Sequence, residues 1–361
     1  MRALPLKITT ALALTVGGTL AASMAGGAGA VEVSHAATYQ YGINTYVTYA
    51  CQTYSQITDM ANTEMKAFKA LRANSVAIAF PLYTDSLTSN NIYAKYVCGK
   101  SNFRSPSAPV LSLVVNAAHK EGLKVLLRPL LDQTNLFQQG PLAWRGKLAP
   151  TNLSTWFKNY LTTLRPYLIM AQAHHVEHFA ITTELDSLAH VPNWSAAIAL
   201  SHAIYKGDLA FDYSWGTNTA KTAHSSASTA VDTYPELSGT TPNSTQHQLL
   251  VKWDYLLTTK YYSLPNISTV TIDEIGIAAQ NGSYGQPFKY SEPLSTYPFN
   301  QKIQANWFST ACTFMKSHHM KGIYFWGPFL AQNHGSLLKK PTPSQAGNLQ
   351  PLAQQAIKSC F

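Results

Sequence analysis

Glutamate is scarce in this chain, and two of its eight Glu stand where a carboxylate is costly. Glu184 closes the run Phe179-Ala180-Ile181-Thr182-Thr183-Glu184, and Glu274 closes Val270-Thr271-Ile272-Asp273-Glu274. Both runs read as buried β-strands, an environment depleted in Glu. One such group could simply be an ion-pair partner at a strand end. Two, brought together from distant strands, can do glycoside chemistry: one protonates a leaving oxygen, while the other, ionised, attacks an anomeric carbon or activates water. The two must differ in proton affinity, which mutual repulsion and unequal solvation supply. A separation of about 5–5.5 Å would give retention of configuration, and a wider gap inversion.

The order of elements predicts how these groups meet. Short apolar, β-branched runs at 39–46, 75–80, 123–128, 178–183, 209–214, 230–234, 268–274 and 322–326 alternate with helical patterns. The helices are placed at 57–71, 109–120, 152–174, 194–205, 217–226, 245–261, 302–316 and 346–358. Eight strand–helix units without a break in composition predict an α/β chain, a single-domain (β/α)8 TIM barrel over residues 31–361. In that fold the C-terminal strand ends form the active-site mouth. Glu184 and Glu274 end strands four and seven, on roughly opposite sides of it.

Residues 1–30 are set apart. Arg2 and Lys7 precede an apolar stretch from Ile8 to Leu20, and Ala28-Gly29-Ala30 is a small-residue cleavage pattern. This predicts a secretory signal peptide and an extracellular protein, since the apolar part is too short to span a membrane. Its removal would lower the net charge from +9 to +7. Only 12% of residues are charged, which suits a surface that hydrogen-bonds through neutral groups, and also an acidic medium. No Lys/Arg cluster marks a nucleic-acid partner, no membrane partner is indicated, and a monomer is expected. Export permits disulfides, and four cysteines allow three pairings. The element order favours Cys51 with Cys98 and Cys312 with Cys360.

Other residues could serve a sugar site. Aromatic faces pack against sugar C–H groups: Trp326 ends strand eight, Trp215 follows strand five, and Trp144 lies in the third loop. Trp194 and Trp156 fall in helical patterns and read at least as well as core. Arg128 could grip a carboxylate or a sugar hydroxyl, or form an ion pair with Asp132 or Asp232. Tyr234 is placed to hydrogen-bond Glu274, and Asn44 to reach a sugar from strand one. Alternation aims Asp273 away from Glu274, giving it a structural reading. His174, His175 and His178 crowd one turn at the opposite end of the barrel. With neither HExxH nor GxSxG present, no metal, cofactor or serine nucleophile is expected.

Several short motifs resemble glycoside hydrolase family 113. These are Thr183-Glu184-Leu185, Glu274-Ile275-Gly276, Trp144-Arg145-Gly146 followed by Trp156 and Tyr160, and Gly42-Ile43-Asn44-Thr45. They occur in the same order over most of the chain after residue 30. The resemblance implies a (β/α)8 barrel, a double-displacement mechanism and β-mannan as substrate, with Glu184 as acid/base and Glu274 as nucleophile. The chain departs from it twice: Thr183 stands where many related enzymes have Asn, and Arg128-Pro129 where Lys-Pro is expected. These departures bear on the choice of sugar more than on the mechanism. Two alternatives stand beside this one: a non-catalytic carbohydrate-binding barrel, and a hydrolase of an amino-sugar polymer with the same mechanism.

Overall fold

In the computed structural model, the described residues are 39–48, 51–96, 104–131, 136, 140, 143–215, 224–261, 266–289 and 297–361. The strands are β1 (Gln40–Tyr46), β2 (Ser75–Thr84), β3 (Ile92–Tyr93), β4 (Lys124–Leu131), β5 (His178–Thr183), β6 (Asp208–Ser214), β7 (Ser228–Asp232), β8 (Thr271–Ile275) and β9 (Gly322–Phe329). The helices are α1 (Tyr54–Ala70), α2 (Ala108–Lys120), α3 (Leu153–Ala173), α4 (Asn193–Ile204), α5 (Gln246–Asp254), α6 (Gln301–Ser317) and α7 (Pro351–Cys360). All strands but β3 pair in parallel, and a β1–β9 pairing together with a β1–β2 pairing closes the ring. The two-residue β3 lies outside it, antiparallel to the end of β2. The predicted (β/α)8 barrel is therefore present, with β5 and β8 as its fourth and seventh strands.

The elements form for local reasons. Thr53 and Gln56 close a capping box at the start of α1, whose buried face includes the predicted Ile57, Ala61, Met65 and Phe68. α7 begins later than predicted, because Pro351 lacks an N–H and is accommodated in the first helical turn rather than the interior. The seventh strand starts at Thr271 rather than 268, after a short 3-10 turn over Ile267–Thr269. The sixth spans Ser228–Asp232, two residues earlier than read. The helix read at 217–226 falls largely outside the described residues, as does the whole of segment 1–30.

Packing is layered. The large core between strands and helices contains Trp156, Trp194, Trp253 and Trp307, all fully buried. Inside the barrel, Ala77, Leu126, Ala180 and Tyr324 form one apolar cluster, and Tyr46, Ala79, Leu130 and Trp326 another. On β4, Arg128 stands between Leu126 of the first cluster and Leu130 of the second, and with Asp212 on β6 it belongs to a charged layer inside the barrel. Cys312 and Cys360 are bonded as expected, tying α7 to α6. Cys51 is also disulfide-bonded, while its predicted partner Cys98 lies outside the described residues. Among the described residues no helix is long and apolar enough to cross a membrane.

Candidate active site

Both glutamates follow an irregularity in their strand. On β5 the register with β6 shifts between Ala180 and Thr182, and on β8 the register with β7 shifts as Val231 faces Ile272 but Asp232 faces Glu274. An extra residue of this kind re-aims the side chains beyond it, and such bulges recur beside active sites. Glu184 adds a left-handed backbone, with φ of 54°. That conformation is costly for a residue with a Cβ and is held by its surroundings. Here the Glu184 amide donates to the carbonyl of Asp212 at 3.0 Å.

Glu274 is 4% exposed and fixed through both oxygens. The Tyr234 hydroxyl donates to Oε1 at 2.6 Å, as its position after the sixth strand suggested. Arg128 Nη1 donates to Oε2 at 2.7 Å. The other face of the guanidinium meets Asp212 and Asp232, each at 2.6 Å from Nη2. Arg128 is fully buried in these contacts, so it braces Glu274 instead of facing a ligand. Its pairing with Asp232 was one of the readings open from sequence; Asp132 lies outside the described residues. Asn44 is likewise interior. Its amide donates to the Asp273 carbonyl at 2.7 Å, and its oxygen accepts from Arg128 at 3.3 Å.

Glu184 stands in a different setting. Arg145 donates from Nε to Oε2 at 3.1 Å, and from Nη1 to the Leu131 carbonyl at 3.1 Å. Burial nevertheless pushes the Glu184 carboxyl up to about 7. Arg145 opposes that shift, and repulsion from Glu274, Asp186 and Asp212 adds to it. The two glutamates thus share one electrostatic field, with a neighbouring carboxylate favouring the proton on Glu184. One can hold a proton where the other is ringed by donors, the division of labour that glycoside chemistry asks of such a pair.

Strict alternation fails at Asp273. The β8 bulge leaves both Asp273 and Glu274 on the interior side. Asp273 lines a cavity of about 10 Å³ with Gln40, His178, Asp208 and Thr271 below the charged layer, room for about one water.

The aromatic candidates divide. Trp215 is half-buried, 5.6 Å from the Tyr234 ring and nearly parallel to Phe288 at 6.2 Å. Phe288, unmarked in the sequence reading, is 39% exposed. Trp326 ends up among Tyr46, Leu130 and Phe329 at the mouth, with 6% exposure. Trp144 is half-buried over Gly146, where any Cβ would collide with the indole. Trp156 and Trp194 are core: they pack in one aromatic cluster, and Trp194 Nε1 donates to the Leu188 carbonyl. His174 contacts Asn116, and His178 contacts Asp208, at the base of the barrel. Among the described residues no group of three or more His, Cys, Asp or Glu could hold a metal ion. A groove of about 510 Å³ between α1 and α7 contains none of these candidates.

Arg145 and Asp212 were missed as site residues. Their signals were present but weak: Arg145 belongs to the quoted Trp-Arg-Gly motif, and Asp212 interrupts the run Leu209-Ala210-Phe211 within β6.

A family model, Glycoside Hydrolase Family 113, matches residues 45–333. A β-1,4-mannanase of that family superposes with a TM-score of 0.67 at 15% identity, covering 89% of this chain and 98% of the other. A β-mannanase of the same family from Alicyclobacillus acidocaldarius, in complex with ManMIm, gives 0.66 at 18% identity, covering 89% and 96%. No curated protein matches the chain. At these identities the superpositions speak for the fold, and the family model for the family.

Proposed function

We propose that this chain, which belongs to glycoside hydrolase family 113, cleaves β-mannan within the chain or in oligosaccharides by double displacement. Glu274 attacks the anomeric carbon, and Glu184 gives its proton to the departing oxygen. Glu184, now ionised, takes a proton from water, whose oxygen attacks the same carbon and frees Glu274. The observation that carries this reading is the asymmetry of the pair. Burial and neighbouring charge keep a proton on Glu184, whereas Glu274 accepts from Arg128 and Tyr234. Arg145 is placed to stabilise Glu184 while it is ionised between the two steps. The solved mannanases of the same fold favour mannan as the substrate. Trp215 and Phe288 offer a platform for the sugar chain, with Trp144 and Trp326 as further walls.

The enzyme is further proposed to be exported after cleavage near residue 30 and to act as a monomer. The Cys312–Cys360 disulfide supports an oxidising destination. Amino-terminal sequencing of the protein recovered from the medium tests the cleavage point.

Proton NMR of products from a mannan oligosaccharide tests the chemistry. The β-anomer should appear first, and Glu274→Gln and Glu184→Gln should each lose about 10³-fold or more in kcat. Initial release of the α-anomer would overturn the retaining mechanism. Turnover of chitosan but not of mannan, glucan or xylan would transfer the assignment to an amino-sugar polymer. A wild type that binds a glycan and cleaves none would end it.

A further inference from the structure

Three carboxyl groups crowd one cation inside the barrel, and only Glu274 has a part in the reaction proposed above. Asp212 Oδ2 and both oxygens of Asp232 lie 2.6 Å from Arg128 Nη2, while Glu274 Oε2 lies 2.7 Å from Nη1. The Asp212 and Asp232 side chains are fully buried. Nη2 carries two N–H groups and cannot satisfy three oxygens at such range. One cation among three buried anions also leaves charge uncompensated, and proteins relieve that by keeping a proton. The strand order says which carboxyl keeps it. β7 runs between β6 and β8, so Asp232 has Glu274 as its register partner on one side and Ser214 on the other, with Asp212 two residues before Ser214 and meeting the same Arg128 nitrogen. It is the middle acid of three. Asp212 Oδ1 is buried and has no hydrogen-bond partner among the described residues, an acceptor that a protonated carboxyl beside it would satisfy.

We propose that Asp232 is a positioning residue that works as a neutral acid, donating its proton to Asp212 and steadying Arg128 against Glu274. The kinetic side of this inference rests on the reading of Glu274 as nucleophile. Around Asp232 are Asp212 on β6, Glu274 and Asp273 on β8, Arg128 on β4, Glu184 beyond β5, and Tyr234 on its own segment. Burial first, then repulsion from Asp212, Glu274 and Glu184, holds its carboxyl well above the usual range against the pull of Arg128. A neutral Asp232 leaves Arg128 shared between two anions, so the nucleophile is oriented without being fully neutralised.

Three variants and one spectrum test this. Asp232→Asn reproduces a neutral acid in shape and should keep kcat within about tenfold, whereas Asp232→Ala and Asp212→Asn should each lose about 100-fold or more. At about pH 6 the infrared difference between wild type and Asp232→Asn should show the loss of one carboxylic-acid C=O band. A folded Asp232→Asn that falls as far as Asp232→Ala would overturn the proposal, and so would an unchanged acid band. The spectrum needs no substrate. If the wild type cleaved no glycan, the function would fail while the protonation of Asp232 was still decided.

Discussion

At the base of the barrel, Asp208 and Glu177 each meet a histidine; at the mouth, Asp212, Asp232 and Glu274 share one arginine. The base pairs are His178 with Asp208 at 3.1 Å and His119 with Glu177 at 3.2 Å, both partly solvated. There, burial is outweighed by hydrogen bonds from His178 and Ser228 to Asp208, and from His119 and Val125 to Glu177, and both carboxyls lie below their usual range. At the mouth burial wins. It raises Asp212 to about 6 and Glu184 to about 7 despite their arginines. The difference teaches that solvent access, more than the presence of a cation, decides the sign of the shift.

The two ends therefore respond oppositely to pH. The base acids have lowered pKa values. Their contribution to stability is present above the ordinary carboxylate range, and it is lost as pH falls through the lowered values. At the mouth, Asp212 and Glu184 have raised pKa values. Their contribution is complete below the ordinary range, near about 4, and is lost as pH rises through about 6 and about 7. Thermal stability should accordingly peak between about pH 4 and 6 and decline toward neutrality.

Breaking the mouth should have the largest effect. Arg128→Met leaves three buried acids without their cation and should cost about 3–5 kcal/mol by chemical denaturation at pH 6, with activity lost. A loss below about 1 kcal/mol would mean that the acids are already neutral without it. Glu64 sharpens the comparison as a buried acid with no cation paired to it among the described residues. It lies on α1, accepts from Thr45 at 2.9 Å, and is raised to about 8 by burial. At pH 7 the folded state keeps a proton that the unfolded state has released. Glu64→Gln should then stabilise by on the order of 2 kcal/mol at pH 7 and by almost nothing at pH 4. An equal effect at both pH values would show that packing, not titration, governs the site. The smallest change is expected at the base. His178→Gln should cost under about 1 kcal/mol, since its partner Asp208 is partly solvated. A larger loss would place the base under the same rules as the mouth.

Much of this was legible in the linear pattern, because strand and helix periods and turn residues act locally. All eight barrel strands fell near their predicted places, and Glu184 and Glu274 stood out because Glu ending an apolar run is rare. The errors have physical sources. Pro351 moved a helix start. Asp273 was misread because alternation holds only in a regular strand, and β8 is bulged. For Arg128 the sequence left a ligand contact and an ion pair with Asp132 or Asp232 both open, and its partners on β6, β7 and β8 lie across the barrel, where no local pattern could choose between them.

By itself the chain determined an alternating α/β barrel and the two glutamates that end its fourth and seventh strands, and it favoured the pairing of Cys312 with Cys360. Only the closed structure decided how those acids differ: Arg145 and burial for Glu184, Arg128 and Tyr234 for Glu274. Residue type sets what a carboxyl can do, whereas its proton affinity depends on the water removed and the charges gathered around it, and those are set when distant strands close into a ring.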